Sequence, residues 1–186
     1  MNSFLAHIGE RNAIDLDYTL AQRRSISEVA SKLSRGAERS YFESAELRDA
    51  FPDGEFNVWG VPVGARVPFE RTKRGDVVFF APSVSRDGGC LLYAGIVKLV
   101  PRIDFPKASR ILWPESGFDI YPHLFFFDAE AGMISWFDFM CDICYAPDWN
   151  PKGWYVRLVR PAYRGTHDPT AYLDYLRAAH GFKRKA

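Results

Sequence analysis

The sequence predicts a single α+β domain in which helices pack around a small, strongly curved sheet. The chain has 186 residues, a length that fits one domain and allows a sizeable buried core. With 47% hydrophobic and 25% charged residues, its composition is that of a globular protein and excludes wholesale disorder. Apolar runs bounded by Gly and Pro dominate residues 57–160, whereas capped amphipathic segments precede and follow them.

The N-terminal part predicts one strand and two helices. The apolar run Phe4–Ile8 predicts the strand. The capping box Ser25-x-x-Glu28 precedes an apolar helical face and predicts a helix that ends at Gly36. A second such pattern, Ser40-x-x-Glu43, predicts a shorter helix that ends near Pro52–Gly54. We interpret both helices as packing elements.

The middle of the chain predicts strands separated by turns. Asp76–Ala81 and Cys90–Val100 are apolar runs that predict a hairpin through the turn Ser85–Gly89. The segment 101–119 contains three prolines and predicts a loop. Tyr121–Phe127 predicts a further strand.

The last third predicts a strand and a helix. Residues 134–145 fit helical spacing as well as a strand with a bend. Gly153–Arg160 predicts a last strand. Asp168 followed by Pro169 predicts the start of a helix that ends at Gly181.

The charge distribution is uneven although the net charge is only +1. Residues 151–186 carry 8 Lys and Arg against 2 Asp and Glu. Either this segment is a solvated surface with a frayed tail, or it forms one face that meets phosphates. No apolar run approaches the roughly 18 residues of a membrane helix, and no signal-peptide pattern is present, so we predict a soluble, cytoplasmic protein with no membrane partner.

Catalytic signatures are absent from the sequence, which predicts no catalytic residue, no metal and no cofactor. It contains no P-loop, dinucleotide-binding, H-E-x-x-H or G-x-S-x-G pattern. His123 lies in an apolar strand, where a structural histidine is the more common case. Cys141 and Cys144 form a lone C-x-x-C with only Cys90 elsewhere, too few for a zinc site, so we interpret all three as buried free cysteines.

Aromatic residues make up 16% of the chain, including five Trp. Trp59, Trp113 and Trp149 lie beside Gly or Pro residues that predict turns. Aromatic side chains that converge over a curved sheet can form a cage that holds a planar base by stacking, worth about 1–3 kcal/mol per base. The alternative is that these tryptophans fill the core, and composition alone favours that alternative.

A family resemblance supports the cage. Its elements occur in one order: Asn57–Pro62, Arg74–Asp76, Tyr93–Val97, Ile111–Pro114 and Tyr121-Pro122. Read in this order, they resemble the EVE domain of the PUA-like superfamily, a relative of the YTH domain. The resemblance is close over residues 57–127 and loose over 128–160. About fifty residues separate the first predicted strand from Trp59, more than the family pattern has.

The resemblance implies a small β-barrel of the EVE/YTH type with flanking helices and a pocket for a modified base. On this pattern residues 1–56 form a strand plus a helical insertion, 57–160 the barrel core, and 161–186 a basic C-terminal helix and tail. YTH relatives hold N6-methyladenine in an aromatic cage. Some EVE-like domains, fused to modification-dependent restriction enzymes, bind methylated or hydroxymethylated cytosine flipped from DNA.

By the same resemblance Trp59 is one cage wall and Trp113 a second. Residues 141–160 do not follow the family pattern closely, so the candidates for a third wall are Trp149, Tyr145 and Trp154. Asn57 and the backbone of Val58 and Gly60 would line the floor, where a residue without Cβ allows a base to approach closely.

The leading hypothesis is therefore a non-enzymatic reader of modified bases in DNA. It would bind a flipped 5-methylcytosine, 5-hydroxymethylcytosine or N6-methyladenine. The predicted phosphate-binding residues are Arg66, Arg71, Lys73, Arg74, Arg157 and Arg160. A nuclease or NTPase subunit or fused domain is the expected partner, because the sequence carries neither motif.

Two alternatives stay open. One is a PUA-like module that binds modified or structured RNA. The other is a protein-interaction domain whose aromatic residues are purely structural. It predicts that Trp59 and Trp113 are fully buried, with no cleft between them and no basic rim. A small-molecule enzyme ranks last. It would need an acid or base with a perturbed pKa in the cleft, for instance Glu115 or Asp119 near Trp113, and nothing in the spacing favours one.

Overall fold

The computed structural model describes residues 1–9, 13–61, 71–82, 89–115, 122–145, 156–162 and 167–184. Its helices are α1 (Ala13–Thr19), α2 (Ile26–Lys32), α3 (Ala37–Phe42), α4 (Ala45–Ala50), α5 (Pro106–Leu112), α6 (Trp136–Asp142) and α7 (Pro169–His180). Its strands are β1 (Ser3–Ile8), β2 (Arg24–Ser25), β3 (Glu55–Val61), β4 (Val77–Pro82), β5 (Gly89–Leu99), β6 (His123–Ser135), β7 (Ile143–Tyr145), β8 (Val156–Pro161) and β9 (Lys183–Arg184). Within these ranges no helix is long and apolar enough to cross a membrane.

The strands form one sheet in the order β2-β3-β6-β5-β4-β1-β8-β7, with β9 paired to β6. β1 lies between β4, to which it is parallel, and β8, to which it is antiparallel. All other pairs are antiparallel. Among the described residues the path of paired strands does not close on itself, so the fold is α+β as predicted and closure of the barrel stays a prediction.

Both faces of the sheet are buried, because side chains alternate between them along each strand. In β4, Val78 and Phe80 belong to one apolar cluster, whereas Val77 and Phe79 belong to the other. Side chains of α1 to α5 cover the first cluster, and those of α6 and α7 cover the second. This two-sided burial explains why the strands are continuous apolar runs in the sequence.

Most of the predicted strands and helices are confirmed, and capping residues explain where several of the helices begin or end. Ser25 accepts a hydrogen bond from the Glu28 N–H at the start of α2. Asp168 caps α7 in the same way, and α7 ends at Gly181 with φ of +62°, in the left-handed region. The predicted turn Ser85–Gly89 lies, except for its last residue, outside the described residues, but β4 and β5 do pair as a hairpin.

Three predictions of local structure are wrong. Ser40 lies inside α3, and the residue that caps the next helix is Ser44, which accepts from the Leu47 N–H. The segment 101–119 is not all loop, since Pro106 begins α5, a position where its missing N–H costs nothing. The helix that follows Ser25 ends at Lys32 and not at Gly36, which instead precedes the first residue of α3. Of the two interpretations left open for the basic C-terminal segment, a frayed tail does not hold at Lys183–Arg184, which pair with β6.

Six strands begin or end at the same end of the sheet. β1, β4 and β6 begin there, and β3, β5 and β8 end there, as the pairing registers require. We call it the Val61 end, after the last residue of β3.

Candidate functional site

Trp59 lies near the Val61 end on a strand that is held along its length. It is opposite Phe125 in the β3–β6 pair, and its ring centroid is 5.6 Å from that of Phe80 at an interplanar angle of 62°. Only 4% of its surface is exposed. Strand pairing and ring contacts therefore fix this indole in place.

Trp113 follows the last residue of α5, and the structure brings it to Trp59. The two ring centroids are 6.0 Å apart at an interplanar angle of 78°. The indole Nε1 of Trp113 donates to Oγ1 of Thr19, at 3.2 Å, and only 2% of the residue is exposed. The Arg24 guanidinium donates to the carbonyl of Leu112, at 3.3 Å. Trp59 and Trp113 are therefore in contact and buried, the arrangement that the alternative of purely structural tryptophans predicts. A cage formed by the two indoles stays a prediction.

Glu38 on α3 sets the position of α5, and with it that of Trp113. Its carboxylate accepts hydrogen bonds from the backbone N–H of Lys107, at 3.1 Å, and of Ala108, at 2.7 Å. These N–H groups belong to the first turn of α5 and have no partner within the helix. A carboxylate there also complements the helix dipole.

Asn57 is buried and its amide is occupied within the chain. Its Nδ2 donates to the carbonyls of Thr19, Leu20 and Gln22, at 3.0, 3.4 and 3.3 Å, and its Oδ1 accepts from the Ala129 N–H, at 2.8 Å. Only 1% of the residue is exposed. Asn57 therefore joins the end of α1 to β3 and β6.

Val58 and Gly60 lie on either side of Trp59 in β3 and are buried. They stand opposite Phe126 and Leu124 in β6. On its other side β3 is paired with β2 only at Glu55 and Phe56. From Asn57 to Val61 the described part of the chain places no strand along that edge.

Three of the predicted phosphate-binding cations lie on a braced turn at the Val61 end. Arg71, Lys73 and Arg74 are exposed. The Asp76 carboxylate accepts from the backbone N–H of Lys73, at 2.8 Å, and of Asn2, at 2.7 Å. The turn is therefore rigid while its cationic side chains face solvent.

For the other predicted cations the structure gives, at most, a position in a strand. Arg160 is one residue from the end of β8, also at the Val61 end, and Arg157 lies farther along the same strand, opposite Leu5. Arg66, Trp149 and Trp154 lie outside the described residues.

Titratable groups near Trp113 are engaged with one another. A hydrogen bond to the Glu115 carboxylate raises the pKa of the Tyr18 phenol above its usual value. Asp119 lies outside the described residues. His123 is the first residue of β6 and is buried, with its Nδ1 at 3.0 Å from the Asp104 carboxylate. A structural histidine is what its sequence context predicts.

The prediction of buried cysteines is right for one of the three. Cys90 is buried, and burial raises the pKa of its thiol. Cys141, in the last turn of α6, and Cys144, on the edge strand β7, are exposed. The described part of the chain contains no group of His, Cys, Asp or Glu residues that could hold a metal ion.

Thr19 is the site residue that the sequence does not reveal. Its hydroxyl is buried and meets the Trp113 indole across 94 positions of sequence. A lone Thr at the end of a short helix gives no signal of such a contact.

The fold matches that of a known domain over nearly its whole length. A solved structure of the N-terminal domain of Thermococcus gammatolerans McrB bound to m5C DNA is similar to this chain with a TM-score of 0.57. The likeness covers 96% of this chain and 98% of that one, at 15% sequence identity. No family model and no curated protein matches the sequence. The chain therefore shares the fold of a McrB N-terminal domain.

Proposed function

We propose that this protein is a non-enzymatic reader that binds DNA carrying a modified base. The observation that carries the proposal is the end-to-end likeness in fold to a domain solved with m5C DNA. The proposed ligand is a methylated or hydroxymethylated base, either a cytosine or an N6-methyladenine, flipped out of the duplex. Cleavage or NTP hydrolysis coupled to recognition would belong to a partner subunit or fused domain, as part of a restriction system.

The perpendicular indoles of Trp59 and Trp113 supply the cage in this proposal. Their rings touch in the DNA-free chain, so a base must separate them before it can stack. Trp59 is fixed within a paired strand, whereas Trp113 ends a seven-residue helix. Trp113 is therefore the wall that moves, at the cost of its hydrogen bond to Thr19.

The floor of the proposed site is the edge of β3 from Asn57 to Val61. Backbone groups of Val58 or Gly60 on this edge would meet the polar edge of the base. Asn57 acts indirectly, since its amide already holds α1 against β3. Trp149 stays a candidate third wall from the sequence pattern alone.

Phosphates flanking the base would be held at the Val61 end. Lys73 and Arg74 suit this role because their turn is braced by Asp76 and the side chains are exposed. Arg71 and Arg160 lie at the same end, and Arg66 and Arg157 are proposed from the sequence. Such contacts fix the register of the duplex without selecting its sequence.

The test is binding to matched duplexes that contain cytosine, 5-methylcytosine, 5-hydroxymethylcytosine or N6-methyladenine, followed by fluorescence polarisation. We expect one modified duplex to bind more tightly than its unmodified match. Trp113→Ala should weaken that complex about 5- to 150-fold, because stacking is worth about 1–3 kcal/mol per base.

Trp136→Ala is the matched control. Trp136 also lies at a helix terminus, but it packs against His7 and Phe139 on the opposite face of the sheet. It should leave the preference for the modified duplex unchanged, and a cooperative melt of each variant confirms folding. Equal binding to all duplexes would overturn the proposal. Tighter binding of the matched RNA strand would favour the RNA-binding alternative.

A further inference from the structure

Three exposed cations form a ridge beside Trp113 that the sequence analysis did not single out: Arg35, Lys107 and Arg110. Lys107 and Arg110 are three residues apart on α5, so they lie on one side of the helix. The Lys107 Nζ is 3.1 Å from Oγ of Ser34, which places α5 next to Arg35. We call this surface the α5 ridge.

The carboxylates around the α5 ridge are already engaged. Glu38 accepts from the first N–H groups of α5, and Glu28 pairs with Lys32 at 2.6 Å. Asp104, in the loop before α5, lies 3.0 Å from His123. In the described ranges neither Arg35, Lys107 nor Arg110 forms an ion pair. Glu38 keeps its negative charge because its partners at α5 are neutral backbone N–H groups, but the three cations outnumber it, so the ridge presents net positive charge.

The position of the ridge relates it to the proposed cage. Arg110 lies one helical turn before Trp113. β5 ends at the Val61 end and leads directly into the loop before α5. The Phe105 N–H, just before α5, also donates to the carbonyl of Pro122, just before β6, at 2.8 Å. The ridge and the Lys73–Arg74 turn therefore belong to the same end of the sheet.

We infer that the α5 ridge binds the backbone phosphates of the DNA strand that carries the modified base. This inference rests on the proposed function and adds a second phosphate-binding surface to it. Each phosphate neutralised by Lys or Arg releases counterions, so the contacts appear in the salt dependence of binding. Because α5 also carries Trp113, phosphates held on the ridge would place the flipped base at the movable wall.

The test is the double variant Lys107→Gln/Arg110→Gln, measured over a salt series with the preferred modified duplex and its unmodified match. Loss of two phosphate contacts should make the slope of log K against log salt less steep by about 1.8, about 0.9 for each contact. The ratio of the affinities for the modified and the unmodified duplex should stay unchanged, because phosphate contacts do not distinguish one base from another. Both side chains are exposed, and melting curves confirm the fold.

Arg48→Gln/Lys183→Gln is the matched control, since it removes two exposed cations from α4 and β9. It should leave the slope unchanged. An unchanged slope in the ridge variant, or an equal change in the control, would overturn the inference and leave the proposed function standing. If the wild-type chain shows no preference for a modified duplex, the proposed function fails instead, whatever the ridge variant does to the slope.

Discussion

At the scale of single residues, Asn57 shows how a position beside the proposed binding site can serve the fold. The family resemblance predicts it in the floor of the cage. In the structure its amide nitrogen donates to carbonyls of residues 19–22, at the end of α1, and its amide oxygen accepts from the Ala129 N–H in β6. A buried amide that is bonded within the chain through both its nitrogen and its oxygen stabilises this part of the fold.

We therefore expect Asn57→Ala to destabilise the protein by about 2–3 kcal/mol, because it leaves buried backbone groups without partners. Urea unfolding measures the change. The preference for a modified duplex should survive at temperatures where the variant is folded. Lost preference with unchanged stability would instead show that Asn57 contacts the base.

The sequence predicts that Trp59 and Trp113 lie close together, but it does not predict the contacts that surround them. Gly and Pro beside Trp59 and Trp113, with the family resemblance, predict that the two converge, and their centroids lie 6.0 Å apart. The burial of both indoles and the hydrogen bond to Thr19 depend on contacts between distant parts of the chain. No local pattern encodes such contacts.

At the scale of elements, the contact between α3 and α5 sets the position of Trp113. α5 is short, and a helix of its length is marginal in isolation. It begins with Pro106 and has no side-chain cap of its own. Glu38 supplies the missing acceptor from another helix.

Glu38→Ala should loosen α5 and lower the free energy of unfolding by about 1 kcal/mol, the usual cost of losing a cap. Hydrogen exchange should quicken at residues 107–113 more than elsewhere. Glu43→Ala is the matched control, since Glu43 is on the surface next to α3 and pairs only with Arg39 among the described residues. Unchanged exchange in α5 would show that Pro106 and packing hold the helix without Glu38.

The elements that the sequence predicts are those with a strong local signal. Long apolar runs identify β4, β5 and β6, and the caps Ser25 and Asp168 identify α2 and α7. α5 was missed because its prolines indicate a loop as readily as a helix start.

β9 is a different case of a missed element. It has only two residues, and it pairs because Gly132 leaves room for Phe182, whose ring would lie 2.3 Å from a Cβ at that position. That fit is visible only in three dimensions.

At the scale of the whole molecule, a charged network joins distant parts of the chain. Arg23 donates to Asp53 at 2.7 Å, and Arg184 lies 2.8 Å from Asp128 and 3.3 Å from Asp53. Lys98 pairs with Asp128 at 2.5 Å. The basic C-terminal segment is thus partly neutralised, so at least Arg184 is committed to the fold.

The hydrogen bond from Arg23 lowers the pKa of Asp53 to about 2. A carboxylate whose pKa is lowered by folding stabilises the protein when ionised. Its contribution is complete above the unfolded value of about 3.9 and disappears as the pH falls toward 2. Because Asp53 is 45% exposed, solvent screening reduces the effect to about 1 kcal/mol or less.

Asp53→Asn should therefore lower the free energy of unfolding at pH 7 and have little effect near pH 2. Urea unfolding at several pH values measures this difference. Asp49→Asn, an exposed residue of α4, is the control. A difference that stays constant between pH 7 and pH 2 would contradict the role of the ionised carboxylate.

The position of β1 in the sheet affects how the chain folds, because both of its partner strands are distant in sequence. β1 precedes both of its partners in sequence, since it lies between β4 and β8 and pairs Ser3 with Val77 on one side and with Val159 on the other. Its apolar residues stay without their full partners until β8 has been made. Pairings this distant in sequence slow folding, typically into the millisecond-to-second range. During that interval β1 is an exposed apolar edge, the kind of surface that chaperones cover and that promotes aggregation.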